Sequence, residues 1–247
     1  MMINSETRRK LQELNLYEII SALEIQETQK VTQTLGFEER FQLIVDYTYQ
    51  EKYANKVKRL TKGAHFRFPQ ASVDDVYYTE RKLDRQKILG VATCQYLSTN
   101  TNIIFQGFTG SGKSFLACAI GIEACKQGYR TRYVRLPDLL QMHDEASITT
   151  DGVSKLIRKF SAYTLLIIDE WLLCNLTQVQ EHFIFELIER RYTDGSTVFC
   201  TQYKLEDWHA RLGGGIHADA IIDRIIHNKI QVYAGDINMR EIYAKEL

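Results

Sequence analysis

The chain has 247 residues, of which 45% are apolar and 25% are charged, values typical of a soluble globular protein. Lys plus Arg and Asp plus Glu both number 31, so a nucleic-acid-binding surface would need clustered basic residues. No apolar run reaches the ~20 residues of a membrane span, and the five scattered cysteines include no C-x-x-C pair. We therefore expect a cytoplasmic protein without a membrane span, a zinc site or a disulfide framework.

The first 68 residues have helical periodicity only. Apolar residues recur at three- and four-residue spacing over 8–26, and a second helical stretch follows Gly36. Residues 1–68 are therefore predicted to form a small all-helical N-terminal domain. Residues 69–101 are predicted to be a connector, with a further helix at 82–97.

Strands and helices alternate from residue 102 onward. Short apolar runs predict strands at 102–106, 131–136, 164–170, 196–202 and 229–235. The segments between them are helical: Gly128 is suited to end one helix and Pro137 to start the next. This alternation predicts an α/β fold over 102–247, with a parallel sheet that carries helices on both faces.

Residues 107–114, GFTGSGKS, match the Walker A pattern G-x-x-x-x-G-K-[ST]. Its glycines allow a sharp turn that points N–H groups at an anion, and the following helix adds its positive end. Lys113 would reach the β- and γ-phosphates, and the Ser114 hydroxyl would ligate Mg²⁺. A chance glycine-rich turn is the alternative, but a strand before and a helix after are the context that the motif requires. The predicted nucleotide contacts here are Gly107, Phe108, Thr109, Gly110, Ser111, Gly112, Lys113, Ser114 and Phe115.

A second motif, LLIIDE at 165–170, places two acids at the carboxyl end of a buried strand, where open α/β sheets bind ligands. In this Walker B segment Asp169 would bind the Mg²⁺ of ATP, and Glu170 would orient or deprotonate the attacking water. Two ordinary solvated acids are the alternative. A small-molecule kinase is disfavoured, because a kinase must exclude water and has little use for a glutamate that activates it.

The motifs together resemble the IstB-type ATP-binding proteins, the transposition helpers of bacterial insertion sequences. The resemblance extends over nearly the whole chain and rests on the collinear segments ALEIQ, GFEERFQLIVD, GFTGSGKS, RYVRLPDLL, LLIIDEW, FCTQYKLEDWH, ADAIIDRIIHN and GDINMRE. It implies an AAA+ fold and a Mg²⁺-dependent, DNA-stimulated ATPase. Because this chain stops soon after Arg240, we expect almost no helical C-terminal lid. The implied partners are duplex DNA, a transposase and further copies of the chain. A DnaC-type helicase loader shares the ATPase part and is the alternative.

The resemblance also implies roles for single residues. The first sensor beside the γ-phosphate is Thr201 or Gln202, which the sequence does not separate. Arg224 corresponds to the arginine finger that reaches a neighbouring subunit's ATP, and Arg240 to the second sensor; a surface arginine paired with a nearby acid is the alternative for Arg224. The chain has Phe108 where the family often has Pro and Ser114 where it often has Thr, and both changes keep the groups that the site needs.

The densest basic stretch lies within residues 51–70. We expect its cations to contact DNA phosphates, because a near-neutral chain has concentrated them here; a solvated helix face is the alternative. The predicted DNA contacts are Lys52, Lys56, Lys58, Arg59, Lys62 and Arg67. The polar segment 143–155 is a second candidate, although its acids make direct phosphate contact less obvious.

Overall fold

A computed structural model describes residues 3–79 and 81–245. Its α-helices are α1 Ser5–Glu13, α2 Tyr17–Thr28, α3 Phe37–Ala64, α4 Arg85–Ala92, α5 Lys113–Lys126, α6 Leu136–Ser147, α7 Gly152–Ser161, α8 Gln178–Arg191, α9 Leu205–Arg211, α10 Gly215–Ile226 and α11 Met239–Lys245. Its strands are β1 Asn102–Gln106, β2 Thr131–Arg135, β3 Leu165–Asp169, β4 Ser196–Thr201 and β5 Lys229–Tyr233. Two 3₁₀ helices lie at Lys30–Thr34 and Gln95–Thr99. None of the described helices combines the length and apolarity needed to cross a bilayer.

The chain divides between Arg59 and Leu60 into two compact units. The first unit contains α1, α2 and most of α3, and the second contains the predicted connector and the whole sheet. The predicted boundaries at 68 and 101 thus lie within the second unit, and the three-part division stays a prediction.

The first unit is helical, as predicted. The helical stretch 8–26 is divided, because Asn15 has a left-handed φ of 56° that ends α1 before α2 begins; asparagine tolerates this conformation better than most residues. Helix α2 buries Ile20 and Ala22. Its Gln26 amide donates to the Arg40 carbonyl of α3 at 2.7 Å.

The second unit is built on a parallel sheet with the strand order β2-β3-β4-β1-β5. Alternate residues of each strand contact opposite layers of helices: Ile103 and Phe105 belong to the core with α5, while Ile104 belongs to the core with α6, α8 and α10. Burial on both faces explains why β3 consists of apolar residues up to Asp169. The predicted α/β architecture is confirmed.

Helix α8 ends in a buried arginine that ties several elements together. The Arg191 side chain donates to the carbonyls of Phe160 and Tyr163 at 3.0 and 2.7 Å and to the Thr197 hydroxyl at 3.0 Å. Burial lowers the pKa of Arg191 to about 9, so the guanidinium stays charged at neutral pH. These bonds connect the end of α7 to the start of β4. Strand β4 pairs with β3, which ends in Asp169.

Candidate nucleotide site

The parallel sheet brings the predicted motifs to one edge. Gln106, the last residue of β1, pairs with Thr201 of β4, and Arg135 of β2 pairs with Asp169 of β3. The carboxyl ends of neighbouring strands therefore carry three predicted groups: the phosphate loop (residues 107–114), the acidic pair (Asp169 and Glu170) and the first sensor (Thr201 or Gln202). This is the edge at which open α/β sheets bind ligands.

The phosphate loop requires its glycines. Gly110 and Gly112 have left-handed φ values of 90° and 84°, a conformation that costs other residues free energy. A Cβ atom at Gly110 would also lie 2.3 Å from the Asn238 side chain, and one at Gly107 would lie 2.7 Å from Ser111 Oγ. Any larger residue at these positions would therefore fill or distort the cradle.

Lys113 begins α5 and points back into the loop. Its ammonium donates to the carbonyls of Gly107 and Phe108, both at 2.7 Å. Burial lowers the pKa of Lys113, while the neighbouring Asp169 opposes that effect. A phosphate bound in the loop would favour the charged ammonium, since an opposite charge nearby raises the pKa of an amine.

Arg81, which the sequence did not mark as a site residue, hydrogen-bonds to the backbone of the phosphate loop. Arg81 is buried, and its guanidinium donates to the Ser111 carbonyl and, at 2.9 Å, to the Ala234 carbonyl after β5. A Cβ atom at Gly235 would lie 2.5 Å from the Arg81 side chain, so that glycine makes room for it. Arg81 carries no motif signal and meets the loop only through the fold.

Asp169 is buried and accepts a hydrogen bond at each carboxylate oxygen. The Tyr133 hydroxyl donates to Oδ2 at 2.6 Å, and the Glu170 backbone N–H donates to Oδ1 at 2.8 Å. Burial and the Asp169 charge raise the pKa of Tyr133 well above its ordinary value, so its hydroxyl stays protonated and acts as the donor. Tyr133 is a second neighbour of the site that sequence reasoning missed.

Glu170 follows in a left-handed conformation, with φ 57°. Non-glycine residues rarely adopt this conformation, and it is enriched at functional sites. Two arginines flank its carboxylate: Arg67 Nη1 lies 3.6 Å from Oε1, and Arg135 Nη1 lies 3.7 Å from Oε2. Arg67, predicted as a DNA contact, thus lies beside the acidic pair; its contact with DNA stays a prediction.

The two candidates for the first sensor have different surroundings. Thr201 is buried, and its hydroxyl donates to the Trp171 carbonyl at 3.2 Å and accepts from the Tyr203 N–H at 3.1 Å. Gln202 is exposed, and its Oε1 accepts from the Thr109 hydroxyl of the phosphate loop at 3.1 Å. Of the two side chains, only that of Gln202 reaches the phosphate loop.

These groups line two adjoining parts of one cleft. The first part, about 290 Å³, lies between the connector and α11, with Phe68, Tyr77, Phe115 and Met239 among its lining residues. The second part, about 130 Å³, contains Asp169, Glu170 and Gln202. Both parts share Arg67, Gly110, Lys113, Ser114 and Arg240. The predicted second sensor, Arg240, therefore lies in the same cleft as the phosphate loop.

The residues in the cleft fit a Mg²⁺–nucleotide. Ser114 and Asp169 supply the oxygen ligands that Mg²⁺ prefers, and both line the smaller part of the cleft. Mg²⁺ in such sites needs only one or two protein ligands, since phosphates and waters complete its octahedron. The larger, more apolar part has room for a nucleoside beside the phosphates.

Arg224 is not in this cleft. It lies on α10, where its guanidinium pairs with Glu189 of α8 and stands 5.5 Å from the Phe185 ring. The Arg224 carbonyl faces the Asn102 side chain at the start of β1, whereas the phosphate loop follows the end of that strand. A five-residue strand spans roughly 13 Å, so Arg224 and the cleft lie near opposite ends of the sheet.

The predicted DNA contacts on α3 are all exposed. At 100° per residue, the cations lie within about 160° of the helix circumference. These residues are Lys52, Lys56, Lys58, Arg59 and Lys62. The less exposed Ala54, Val57, Leu60 and Ala64 lie on the opposite side of the helix. The basic residues therefore form one continuous face.

Solved structures resemble the fold. The DnaC helicase loader matches with a TM-score of 0.56 and 20% identity over 68% of this chain and 98% of its own. DnaA from Aquifex aeolicus, bound to AMPPCP, matches with a TM-score of 0.55 and 19% identity over 72% of this chain and 54% of its own. At such low identity the likeness supports the fold only, and it confirms the predicted AAA+ P-loop architecture.

Sequence comparison identifies the family. An insertion sequence ATP-binding protein of Sinorhizobium fredii is 31% identical over 198 residues, 80% of each chain. A second one, of Pseudomonas fluorescens, is 30% identical over 206 residues, 81% of this chain and 87% of its own. The family described as IstB-like ATP binding protein matches residues 9–244. The chain therefore belongs to the IstB-like ATP binding proteins.

Proposed function

We propose that this protein is a Mg²⁺-dependent ATPase that assembles on duplex DNA with ATP and presents a target site to a transposase. Hydrolysis would then disassemble or reset the complex. Family membership carries the proposal, since the relatives are described as ATP-binding proteins of insertion sequences. A cytoplasmic location follows from this function, because ATP and the target DNA are both found there.

Hydrolysis is supported by the groups that share the smaller part of the cleft. Lys113 and Arg240 would stabilise negative charge on the transferring phosphate, since cations near a leaving phosphoryl group lower its barrier. Ser114 and Asp169 would hold the Mg²⁺, whose chemistry is to neutralise phosphate charge. Glu170 would orient the attacking water and accept its proton.

Assembly is supported by the position of Arg224. An arginine near the opposite end of the strands cannot reach the nucleotide of its own subunit, because an arginine side chain extends only ~7 Å from its Cα. A head-to-tail contact between copies would instead bring Arg224 of one copy to the cleft of the next. ATP would then lie at the joint, and nucleotide state would control assembly.

The assembly test combines the protein with duplex DNA and either ATP, ADP or no nucleotide. Sedimentation velocity should reveal a large species only when ATP and DNA are both present. The transposase arm adds the product of any large recombinase reading frame that lies immediately upstream of this gene, and it measures insertion into the same DNA. Equal assembly with ADP would contradict nucleotide control, and stable binding to a replicative helicase instead of the recombinase would favour the helicase loader.

Gln202 is the better candidate for the first sensor, because its side chain reaches the phosphate loop. We expect Gln202→Ala to slow phosphate release about tenfold, the cost of one hydrogen bond to the transition state, with nucleotide affinity nearly unchanged. Thr201→Val should instead lower the free energy of unfolding by about 1–2 kcal/mol, because its buried hydroxyl is hydrogen-bonded. A Thr201→Val variant of normal stability that has lost hydrolysis would reverse the assignment.

The basic face of α3 is tested by neutralising Lys58 and Arg59 to Gln together. The slope of log affinity for duplex DNA against log salt should fall by about two, since each lost phosphate contact removes about one unit. ATP affinity should not change. The matched control neutralises Arg9 and Lys10, two exposed cations on α1. An unchanged slope in the first variant, or an equal change in the control, would exclude this DNA face.

A further inference from the structure

A buried tyrosine is hydrogen-bonded to the carboxylate that ends β3. Tyr133 lies on β2, the strand paired with β3, and its register partner is Ile167. Its hydroxyl donates to Asp169 Oδ2 at 2.6 Å, and the exposed fractions of the two residues are 6% and 2%. Tyr133 lines neither part of the cleft, so it would contact the nucleotide only through Asp169.

The same carboxylate is bound from its other side. Asp169 Oδ1 accepts the backbone N–H of Glu170, whose φ of 57° turns the chain directly after the strand. An ionised carboxylate has about four lone-pair sites, so each oxygen keeps capacity for a further contact. A donor on each oxygen, together with the Cys200 thiol that also contacts this carboxylate, therefore fixes the carboxylate plane.

We propose that Tyr133 is a positioning residue for the metal carboxylate of this site. Its hydroxyl holds the Asp169 carboxylate in one orientation, because a hydrogen bond from a buried donor to Oδ2 restricts rotation of that group. It thereby strengthens binding of the divalent cation of the nucleotide. This inference rests on the proposed function, because it takes Asp169 to be a Mg²⁺ ligand. Tyr133 lies outside both Walker motifs, on β2 between Arg132 and Val134.

The variant Tyr133→Phe removes only the donor, and the chain offers a matched control. Tyr96 is also buried, with an exposed fraction of 5%, and its hydroxyl has no hydrogen-bond partner among the described residues. Tyr96→Phe removes the same atom from the same core but should change neither metal nor nucleotide binding. Thermal unfolding of both variants shows that each is folded before binding is measured.

The readout is binding of Mn²⁺, a paramagnetic substitute for Mg²⁺, to the protein saturated with AMPPCP, followed by electron paramagnetic resonance. We expect Tyr133→Phe to weaken Mn²⁺ binding about tenfold or more, the usual effect of removing a group that orients a metal ligand. Nucleotide affinity in EDTA should stay unchanged. In the Asp169→Asn background Tyr133→Phe should have no further effect, because Tyr133 acts through that carboxylate.

The outcomes separate the inference from the proposed function. In one outcome, AMPPCP raises the Mn²⁺ affinity of the wild type and of the folded Tyr133→Phe variant by the same factor. That result would overturn only the inference. It is also overturned if Tyr133→Phe adds its full loss in the Asp169→Asn background. If the wild type binds Mn²⁺ no better with AMPPCP than without it, the proposed Mg²⁺–ATP function fails, and the inference fails with it.

Discussion

Replacing Glu170 by Gln is expected to slow phosphate release by on the order of 10²–10⁴-fold, the usual contribution of a general base. Glutamine has nearly the same shape, so it can still fill the space between Arg67 and Arg135. It cannot accept the proton of the attacking water. Because the phosphate loop and Lys113 are untouched, ATP should still bind, and the ATP-bound oligomer should remain on DNA.

Three measurements check this expectation: phosphate release at saturating ATP and DNA, nucleotide affinity, and the lifetime of the DNA complex after dilution. The matched control is Glu123→Gln on α5. Glu123 has the same side-chain exposure as Glu170, 23%, and is also paired with a cation, Lys126, but it lines neither part of the cleft. A Glu170→Gln protein that stays monomeric with ATP and DNA would refute the assembly model.

Replacing Arg224 by Ala is expected to slow hydrolysis by on the order of 10³-fold, as removal of an arginine finger does. Nucleotide affinity of the single chain should be unchanged, because Arg224 lies near the other end of the strands from the cleft. In the isolated chain this guanidinium pairs with Glu189. On assembly, the Arg224 guanidinium would have to leave Glu189 and pair with the phosphate of the ATP bound to the next subunit.

A mixing experiment tests whether Arg224 acts on the next subunit. Arg224→Ala keeps an intact cleft, and Glu170→Gln keeps an intact arginine. In an equimolar random assembly roughly a quarter of the head-to-tail joints would pair the intact cleft with the intact arginine. Hydrolysis in the mixture should therefore be well above that of either variant alone, since each variant alone hydrolyses ATP only slowly. A mixture as inactive as its components would exclude action between subunits.

The control for the arginine is Arg130→Ala. Arg130 precedes β2, at the same end of the sheet as Arg224, and it also stands over an aromatic ring, that of Tyr163 at 5.4 Å. Loss of a cation and of a ring contact is thus common to both variants. Only Arg224→Ala should slow hydrolysis, and an equal loss in Arg130→Ala would point to a general effect on folding.

The nucleotide loop and the acidic pair could be predicted because each is a continuous segment. Residues 107–114 carry their own turn geometry in the glycines, and LLIIDE carries its burial in the apolar run before Asp169. The α/β class followed from the alternation of strands and helices. The N-terminal helices were predicted as well, except for the break at Asn15, where a single left-handed residue ends a helix that apolar spacing alone would continue.

Other parts of the site could not be predicted, because they depend on which strands become neighbours. Whether Thr201 or Gln202 turns toward the loop depends on the backbone at the end of β4. The side chains of Arg67, Arg81 and Tyr133 meet the site only through contacts between segments far apart in the chain. Local composition contains no signal for such contacts.

The sequence by itself predicted a phosphate-binding loop and a pair of acids suited to hydrolysis, and it determined the α/β frame, since local propensity and burial pattern are properties of short segments. The tertiary structure alone decided how these groups combine. The strand order β2-β3-β4-β1-β5 puts Lys113, Asp169 and Gln202 around one cleft and leaves Arg224 near the other end of the sheet. Side-chain reach is short compared with the length of a strand, and that physical limit makes a joint between subunits the expected place for hydrolysis.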